Sequence, residues 1–455
     1  MGRFYVENFG CRATQADGAA IEHQFQERGL DRAVTSSEAE VVVVNTCTVT
    51  AAADQDARAF IRRVHRENPN CQIVVTGCYA QRAPQEIAAL PGVTQVVGNS
   101  HKHHLAEITG RTFVPITQLE ANADESSIFV SDIFAHTELL AAPVFDAANE
   151  RTRPNLKVQD GCDNRCSFCV IPYVRGNSRS LPLSRIIDEV KSLVDAGYRE
   201  VVVSGINLGR WGRDLENPQT LPDLIHATLY HTSLEKLRIS SVEPMDWSDE
   251  LIQLIANSKR VAKHAHVPMQ SGSDRILRSM HRKYRPWHYR EKIEKIRRAM
   301  PTAAIGADVM VGFPGESDAD FEQTRRMVGE LPFTYLHVFT YSARPGTPAA
   351  AMCDQIPVRI ARERNQVLRE LAAQKKLAFM RSLIGESVEA ITLKACNARI
   401  NSSQSGTSNV GTEALTDNYL KLRLKQDLQP NQWLAARIES IREGMLHGEV
   451  VPMAA

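Results

Sequence analysis

Nine cysteines are spread over a chain of 455 residues, and three of them crowd into one short stretch, Gly161-Cys162-Asp163-Asn164-Arg165-Cys166-Ser167-Phe168-Cys169. Three residues separate the first pair and two the second. A loop this tight aims three soft thiolates at three corners of one cubane iron–sulfur cluster. It supplies no fourth ligand, so one iron stays open to bind and activate something. A structural zinc site would show paired C-x2-C knuckles or histidines at finger spacing, and neither follows here. The chain opens on Met1-Gly2-Arg3-Phe4-Tyr5-Val6, which is no secretory signal, and that argues against disulfides.

The C-x3-C-x2-C pattern, with Phe168 before its last cysteine, resembles that of the radical S-adenosylmethionine (SAM) superfamily. The resemblance implies that Cys162, Cys166 and Cys169 hold the catalytic [4Fe–4S] cluster. Its open iron would bind the amino and carboxylate groups of SAM, which one electron cleaves to a 5′-deoxyadenosyl radical.

A second set of cysteines stands at strand ends. Arg3-Phe4-Tyr5-Val6 reads as a strand leading to Gly10-Cys11. Val41-Val42-Val43-Val44 is a continuous β-branched run that stops at Thr46-Cys47, and Ile73-Val74-Val75 stops at Gly77-Cys78. Helical spacing lies between them, at Ala20, Ile21, Phe25 and Leu30 and again over residues 52–67. Apolar strands alternating with helices predict a doubly wound parallel sheet covered on both faces. Ligands of such sheets bind at the carboxyl edge, where Cys11, Cys47 and Cys78 fall. Any one of them alone reads as a small buried hydrophobe. Three at equivalent positions favour a second iron–sulfur cluster, again with three protein ligands. Cys71 precedes its strand and is left out, and Cys353 and Cys396 have no evident partners.

The segment leading into the first cysteine loop, Leu156-Lys157-Val158-Gln159, opens a β/α alternation. Further strands are predicted at residues 201–205, 237–241, 264–268, 305–312 and 335–339. Six βα units fall short of the eight of a closed TIM barrel and leave a lateral opening that suits a macromolecular substrate. Ser204-Gly205, Ser241, Glu243 and Gln270 lie where these strands end, the face on which parallel barrels gather their sites, and read together as a SAM pocket. Ser204 and Glu243 serve equally well as plain loop residues. Residues 275–298 are basic and carry Tyr284, Trp287 and Tyr289. The stretch is either a solvated helix face or a surface that contacts phosphates and stacks bases.

After a basic helix over residues 359–381 the pattern turns to short strands, at 387–392, 419–424 and 433–438, as in a small antiparallel barrel. The expected division is therefore an N-terminal domain over 1–115, a linker over 116–150, a central partial (βα)6 barrel over 151–380 and a small C-terminal barrel over 381–455. Net charge is +1, so basic surface must be local. No apolar run is long enough to span a bilayer, and nine cysteines without an export signal imply a reducing, cytoplasmic setting.

Together the three parts resemble the methylthiotransferases of the radical SAM superfamily over essentially the whole chain. The resemblance implies an auxiliary [4Fe–4S] cluster on Cys11, Cys47 and Cys78, and an RNA-binding TRAM module at the C-terminus. The stretch from His264 to Asp274, with Met280-His281-Arg282-Lys283-Tyr284 behind it, is similar to a family signature. Branches of the family act on N6-isopentenyladenosine at position 37 of tRNA, on N6-threonylcarbamoyladenosine at that position, or on an aspartate of a small-subunit ribosomal protein. Asn45-Thr46-Cys47-Thr48-Val49-Thr50, with Asp54, Arg58 and Ile61-Arg62-Arg63, resembles the threonylcarbamoyladenosine branch. Asn8-Phe9-Gly10-Cys11-Arg12 departs slightly from the commoner Leu-Gly-Cys-Lys form. The implied reaction places a methylthio group on adenine C2, with the sulfur delivered from the auxiliary cluster and methylated by a second SAM. The implied partners are tRNA at the anticodon loop, a flavodoxin- or ferredoxin-type electron donor and a sulfur donor, with no membrane. A redox-sensing iron–sulfur RNA-binding protein without catalysis is the competing class, and four-thiolate ligation would mark it.

Overall fold

Side-chain alternation along one strand builds two cores at once. The computed structural model describes residues 2–110, 126–136, 139, 152–394 and 411–452. In β3 (Val41–Thr46), Val42 and Val44 pack against Phe60, Ile61 and Val64 of helix α2 (Ala51–Glu67). Val43 points the other way, to Phe4 and to Ile21 and Phe25 of helix α1 (Arg12–Glu27). With β1 (Arg3–Asn8), β2 (Asp31–Arg32), β4 (Gln72–Gly77), β5 (Val93–Gly98) and β6 (Ser127–Phe129), it forms a parallel sheet in the order β2-β1-β3-β4-β5-β6. The order reverses between β1 and β3, which is the switch point of a doubly wound sheet.

β6 falls inside the stretch expected to be a linker. Ser126 anchors it by donating to the carbonyls of Ala88 (2.9 Å) and Val93 (2.6 Å). A three-residue edge strand after a polar run is too short to show a period of two, so it left no pattern to read. Residues 111–125, most of 137–151 and 395–410, with Cys396, lie outside the described residues.

The central domain holds six parallel strands, as expected. They are β7 (Asn155–Asp160), β9 (Glu200–Gly205), β10 (Lys236–Ile239), β11 (His264–His266), β12 (Ala304–Val311) and β13 (Tyr335–Thr340), with the short antiparallel β8 (Arg179–Ser180) on the edge of β7. They pair as two arcs, β7–β9–β10 and β11–β12–β13, joined by a parallel bridge between Leu237 and Val261. Leu156, Val158, Val201, Val203, Leu237, Ala265, Ile305 and Val309 turn outward into the main core under the helices. The alternate positions therefore face inward; beside Val202, Ala304 and Gly306 they include Asn155, Lys157, Gln159, Glu200, Ser204, Arg238, His264, His266 and Asp308. A closed TIM barrel fills that space with branched aliphatic side chains. Here it is a polar lumen.

Five strands close the C-terminal barrel: β14 (Ser387–Thr392), β15 (Thr412–Thr416), β16 (Lys421–Leu424), β17 (Trp433–Arg442) and β18 (Met445–Val451). Every pair is antiparallel except β16 with β18, so the barrel expected to be antiparallel is closed by one parallel seam. The strand expected from Tyr419 begins at Lys421, because Tyr419 sits in a turn at φ 66°. That turn plugs the amino end of the lumen. Arg238 donates to the Asp417 carbonyl (2.9 Å), Asn418 to the Thr302 carbonyl (3.1 Å), and the Tyr419 ring lies 4.7 Å from that of His264.

The N-terminal domain sits astride the lateral opening and grips both edges. On one side, Ala51 donates to Ser342 (3.2 Å) and Arg344 pairs with Asp54 and Thr48, just beyond β13. On the other, Asp17 of α1 meets a buried cluster. It pairs with Lys157 of β7, with Lys102 at 3.0 Å and with Arg175 at 3.0 Å, while Asp160 pairs with Lys157 at 2.9 Å and with Arg175 at 3.0 Å. None of the five exceeds 6% exposure. Burial alone would raise the Asp17 carboxyl, but Lys102, Lys157 and Arg175 override it and hold it well below the usual carboxylate range. Asp160 is held low against burial by Arg175, Lys157 and Arg179.

Both carboxyls are depressed in the folded chain. Their stabilisation is complete above the unfolded pKa of ~3.9 and is lost as pH falls through and below it. Asp17→Asn leaves buried cations undercompensated, so urea unfolding at neutral pH is expected to show a loss of about 3–5 kcal/mol. The same variant is expected to lose less stability than the parent on acidification from about pH 5 to pH 3.

Candidate active site

Cys11, Cys47 and Cys78 follow the ends of β1, β3 and β4, three neighbouring strands at the switch point. Gly10 lets two of them close up: it holds φ +112°, and a Cβ there would come within 2.4 Å of the Cys47 Cβ. Burial pushes the Cys47 thiol up to about 12, and Cys78 and Cys11 add like-charge repulsion. Asn99 donates to the Cys78 sulfur at 3.6 Å. Two buried thiols, Cys47 and Cys78, with the exposed Cys11 beside them, form a soft donor set whose mutual repulsion a cluster's iron would relieve. Cys71 packs into the N-terminal core and takes no part.

The other loop hangs from the end of β7. Gly161 holds φ +71°, and a Cβ there would lie 1.9 Å from the Asn177 carbonyl. The loop is then fixed from both sides. Cys162 N–H donates to Gly176 (3.0 Å), Ser167 N–H to Met280 (3.1 Å), and Ala349 N–H to Ser167 (2.9 Å). Gln159, fully buried, donates to the Asp160 and Gly161 carbonyls and accepts from Asn207 N–H at 2.7 Å. Asn207 in turn donates to the Cys162 sulfur (3.6 Å) and Arg282 to the Cys166 sulfur (3.3 Å). Burial pushes the Cys169 thiol up to about 12, and it raises Cys162 as well. All eight cysteines among the described residues are free thiols, and each set of three fits a cluster with one iron left open.

The two sets are neighbours. Cys78 packs against Val170, Ile171 and Val174, the residues that follow Cys169. Asn99 bridges them, donating to the Val174 carbonyl at 2.7 Å as well as to Cys78. Arg175 ends the same short helix, Ile171–Arg175, and its guanidinium lies in the field of Cys78 and Cys11.

The residues expected to bind SAM take different places. Glu243 pairs with Arg282, which puts it beside Cys166. Gly205 ends β9 against Gln159, and Ser204 is buried with its hydroxyl unpartnered. Gln270 stands at the carboxyl edge with φ 61°, tied to β12 through Asp308 and Met310. Ser241 bonds His266 Nδ1 (2.6 Å), and Asp308 lies 3.2 Å from both His266 Nε2 and His337 Nδ1. The basic stretch over 275–298 does not form one face. Tyr284 and Tyr289 are buried on main-chain carbonyls and Arg282 is turned inward, whereas Trp287 is exposed. Sequence reasoning missed Asn99 and the parts played by Arg175 and Asn207, and it took Arg282 as one residue of a signature and of a basic stretch without its contact to Cys166. Only the alternation of His264 and His266 in a strand hinted at the polar lumen.

Gly161→Ala is expected to strip iron from the Cys162 loop by driving a Cβ into the Asn177 carbonyl. In a background with Cys11, Cys47 and Cys78 replaced by Ala, iron and acid-labile sulfide per chain should fall close to zero. Retention of parental iron would contradict this account of the loop.

Residues 3–98 match the model of an uncharacterized protein family, UPF0004, and residues 156–328 match that of the radical SAM superfamily. The threonylcarbamoyladenosine tRNA methylthiotransferase MtaB of Bacillus subtilis is 36% identical over 93% of this chain and 91% of its own. Its namesake from Aquifex aeolicus is 38% identical over 92% of this chain and 95% of its own. A tRNA-2-methylthio-N(6)-dimethylallyladenosine synthase of Novosphingobium aromaticivorans is 34% identical over 85% of this chain and 86% of its own. Among solved structures, the radical SAM methyltransferase TsrM of Kitasatospora setae, with cobalamin and a [4Fe–4S] cluster bound, aligns at TM-score 0.55 over 77% of each chain. At 14% identity that likeness concerns the fold alone. With such identity sustained over most of both chains, the chain belongs to the radical SAM methylthiotransferase family.

Proposed function

We propose that the protein is a tRNA methylthiotransferase that adds a methylthio group to C2 of N6-threonylcarbamoyladenosine at position 37. The observation that carries the reading is the pairing of two three-thiol sets across one short helix, Ile171–Arg175, beside a polar lumen. When bound, two [4Fe–4S] clusters and SAM supply the radical and sulfur chemistry that polar side chains cannot perform at an unactivated aromatic carbon. Cys162, Cys166 and Cys169 would hold the cluster that supplies the radical chemistry with SAM, and Cys11, Cys47 and Cys78 would hold the one that supplies the sulfur chemistry.

The chain's own residues bind and orient. Asn207 and Arg282 donate to thiolate sulfurs and stabilise their charge. Glu243, held by Arg282, Gly205 and Gln270 at the carboxyl edge line the approach for SAM. Ser204, Ser241 and His266 line the space beside it. The turn at Tyr419 closes the far end of the lumen to water. The C-terminal barrel and the exposed Trp287 provide surface for the anticodon stem. The partners this reading calls for are a flavodoxin- or ferredoxin-type electron donor and an external sulfur donor. No helix among the described residues is long and apolar enough to cross a membrane.

The substrate branch has two supports. The relatives named for threonylcarbamoyladenosine reach 36% and 38% identity. The lumen, rich in histidine and arginine, suits a hydrophilic substituent better than an isopentenyl chain. Mass spectrometry of nucleosides from tRNA, with and without this gene, is the test. The expected result is loss of 2-methylthio-N6-threonylcarbamoyladenosine and accumulation of its unthiolated form; an unchanged profile refutes the branch. In vitro, Cys166→Ala is expected to abolish reductive SAM cleavage. Cys47→Ala should retain that cleavage yet form no methylthio product, and product from Cys47→Ala would refute the auxiliary role.

A further inference from the structure

The inner cations of the central barrel nearly all have carboxylate partners. Arg153 and Arg238 share Glu200, Lys157 has Asp17 and Asp160, and Lys236 has Glu389 and Asp417. Arg12 stands apart. Its Nη2 donates to the Tyr419 hydroxyl at 3.2 Å, and it has no carboxylate partner among the described residues. It is the first residue of α1, directly after the cluster ligand Cys11, so their Cα atoms lie about 3.8 Å apart. Its carbonyl accepts from Asn155 on the inner face of β7 at 3.2 Å, which carries the start of α1 into the lumen. There its charge is felt by His264 and Tyr335.

Asn155 Oδ1, Ser204 Oγ and Ser240 Oγ are buried atoms without a hydrogen-bond partner, all on inward-facing positions. Ser204 is 3% exposed. Folded chains leave few such atoms unsatisfied, and these lie on the inner face of the barrel whose amino end carries the Arg12 guanidinium.

The substrate of the function proposed above has a matching group. On adenine, C2 and the carbon bearing N6 flank the same ring nitrogen, N1. A base held with C2 at the clusters therefore keeps its N6 substituent near the cluster ligands. A threonylcarbamoyl substituent ends in a free carboxylate, and an isopentenyl substituent ends in methyl groups. We propose that Arg12 forms a carboxylate-binding subsite at the base of the lumen and selects the anionic N6 substituent over a neutral alkyl one. The planar fork of its guanidinium takes a carboxylate through two parallel hydrogen bonds, with Tyr419 fixing its orientation. This inference rests on the threonylcarbamoyladenosine reading.

The test uses the full chain with both clusters reconstituted anaerobically. Three synthetic anticodon stem-loops serve as substrates, bearing at position 37 the threonylcarbamoyl group, the same group with its carboxylate converted to a primary amide, or the isopentenyl group. For Arg12→Gln the KM for the carboxylate RNA is expected to rise about tenfold or more, because a site built to pair a polar group discriminates strongly. On the amide RNA the gap between parent and Arg12→Gln should close, and Arg12→Lys should fall between them. Iron content and the electron paramagnetic resonance signals of both clusters separate this effect from damage at Cys11. If Arg12→Gln loses iron, Tyr419→Phe decides, with an expected rise of about threefold in KM for the carboxylate RNA only. A KM unchanged on the carboxylate RNA, or an equal loss on both RNAs, overturns the subsite. Failure of the parent protein to thiolate the carboxylate RNA at all sinks the functional reading itself, and it does so without reference to any variant.

Discussion

Five charged side chains buried between two domains hold the active centre in register. Asp17 comes from α1, Lys102 from the turn after β5, Lys157 and Asp160 from β7, and Arg175 from the helix behind the cysteine loop. A dry carboxylate or ammonium tolerates no separation from its partners, because stranding one costs several kcal/mol. Rigid docking follows, and with it the distance between Cys78 and the helix after Cys169. The cluster holds three cations against two carboxylates. Its surplus positive charge faces Cys78 and Cys11 through Arg175, where thiolates need it. Burying ions is a poor way to gain stability over an apolar core, and a good way to permit one arrangement only.

The central barrel inverts the usual economy of its fold. Its aliphatic side chains serve the layer between strands and helices, and its interior is left to polar groups. An interior of that kind cannot hold itself together, so other parts of the chain close it. The N-terminal domain grips both edges through Asp17 and through Asp54 with Arg344. The C-terminal barrel seals the amino end with the turn at Tyr419. The three domains therefore share one cavity, and removing either flanking domain would open the lumen to water.

A common scaffold with TsrM does not bring a common reaction. The chemistry open to this chain lies in the thiols at the sheet's switch point and the polar groups that face them. Both are matters of a few residues on loops and strand ends, where scaffolds carry their chemistry.

Much of this was written locally in the sequence. Valine runs that end in cysteine marked three parallel strands and their carboxyl edge, and the C-x3-C-x2-C loop marked its own chemistry, because spacing along a short loop is already a spatial constraint. The six strands of the central domain were legible from their apolar positions. Contacts between distant segments were not. Nothing in Arg282 announces that it reaches Cys166, 116 positions away, and Tyr419 meets Arg12 across 407. Charged residues such as Lys157 and Arg175 read as surface until the domains are docked, since their burial depends on partners from other elements. Local order thus determined the strands, the thiol sets and the kind of chemistry. Only tertiary packing decided that the two sets adjoin, that the barrel's inside is a polar lumen, and which side chains line it, because burial and electrostatic pairing exist only once remote parts of the chain share one space.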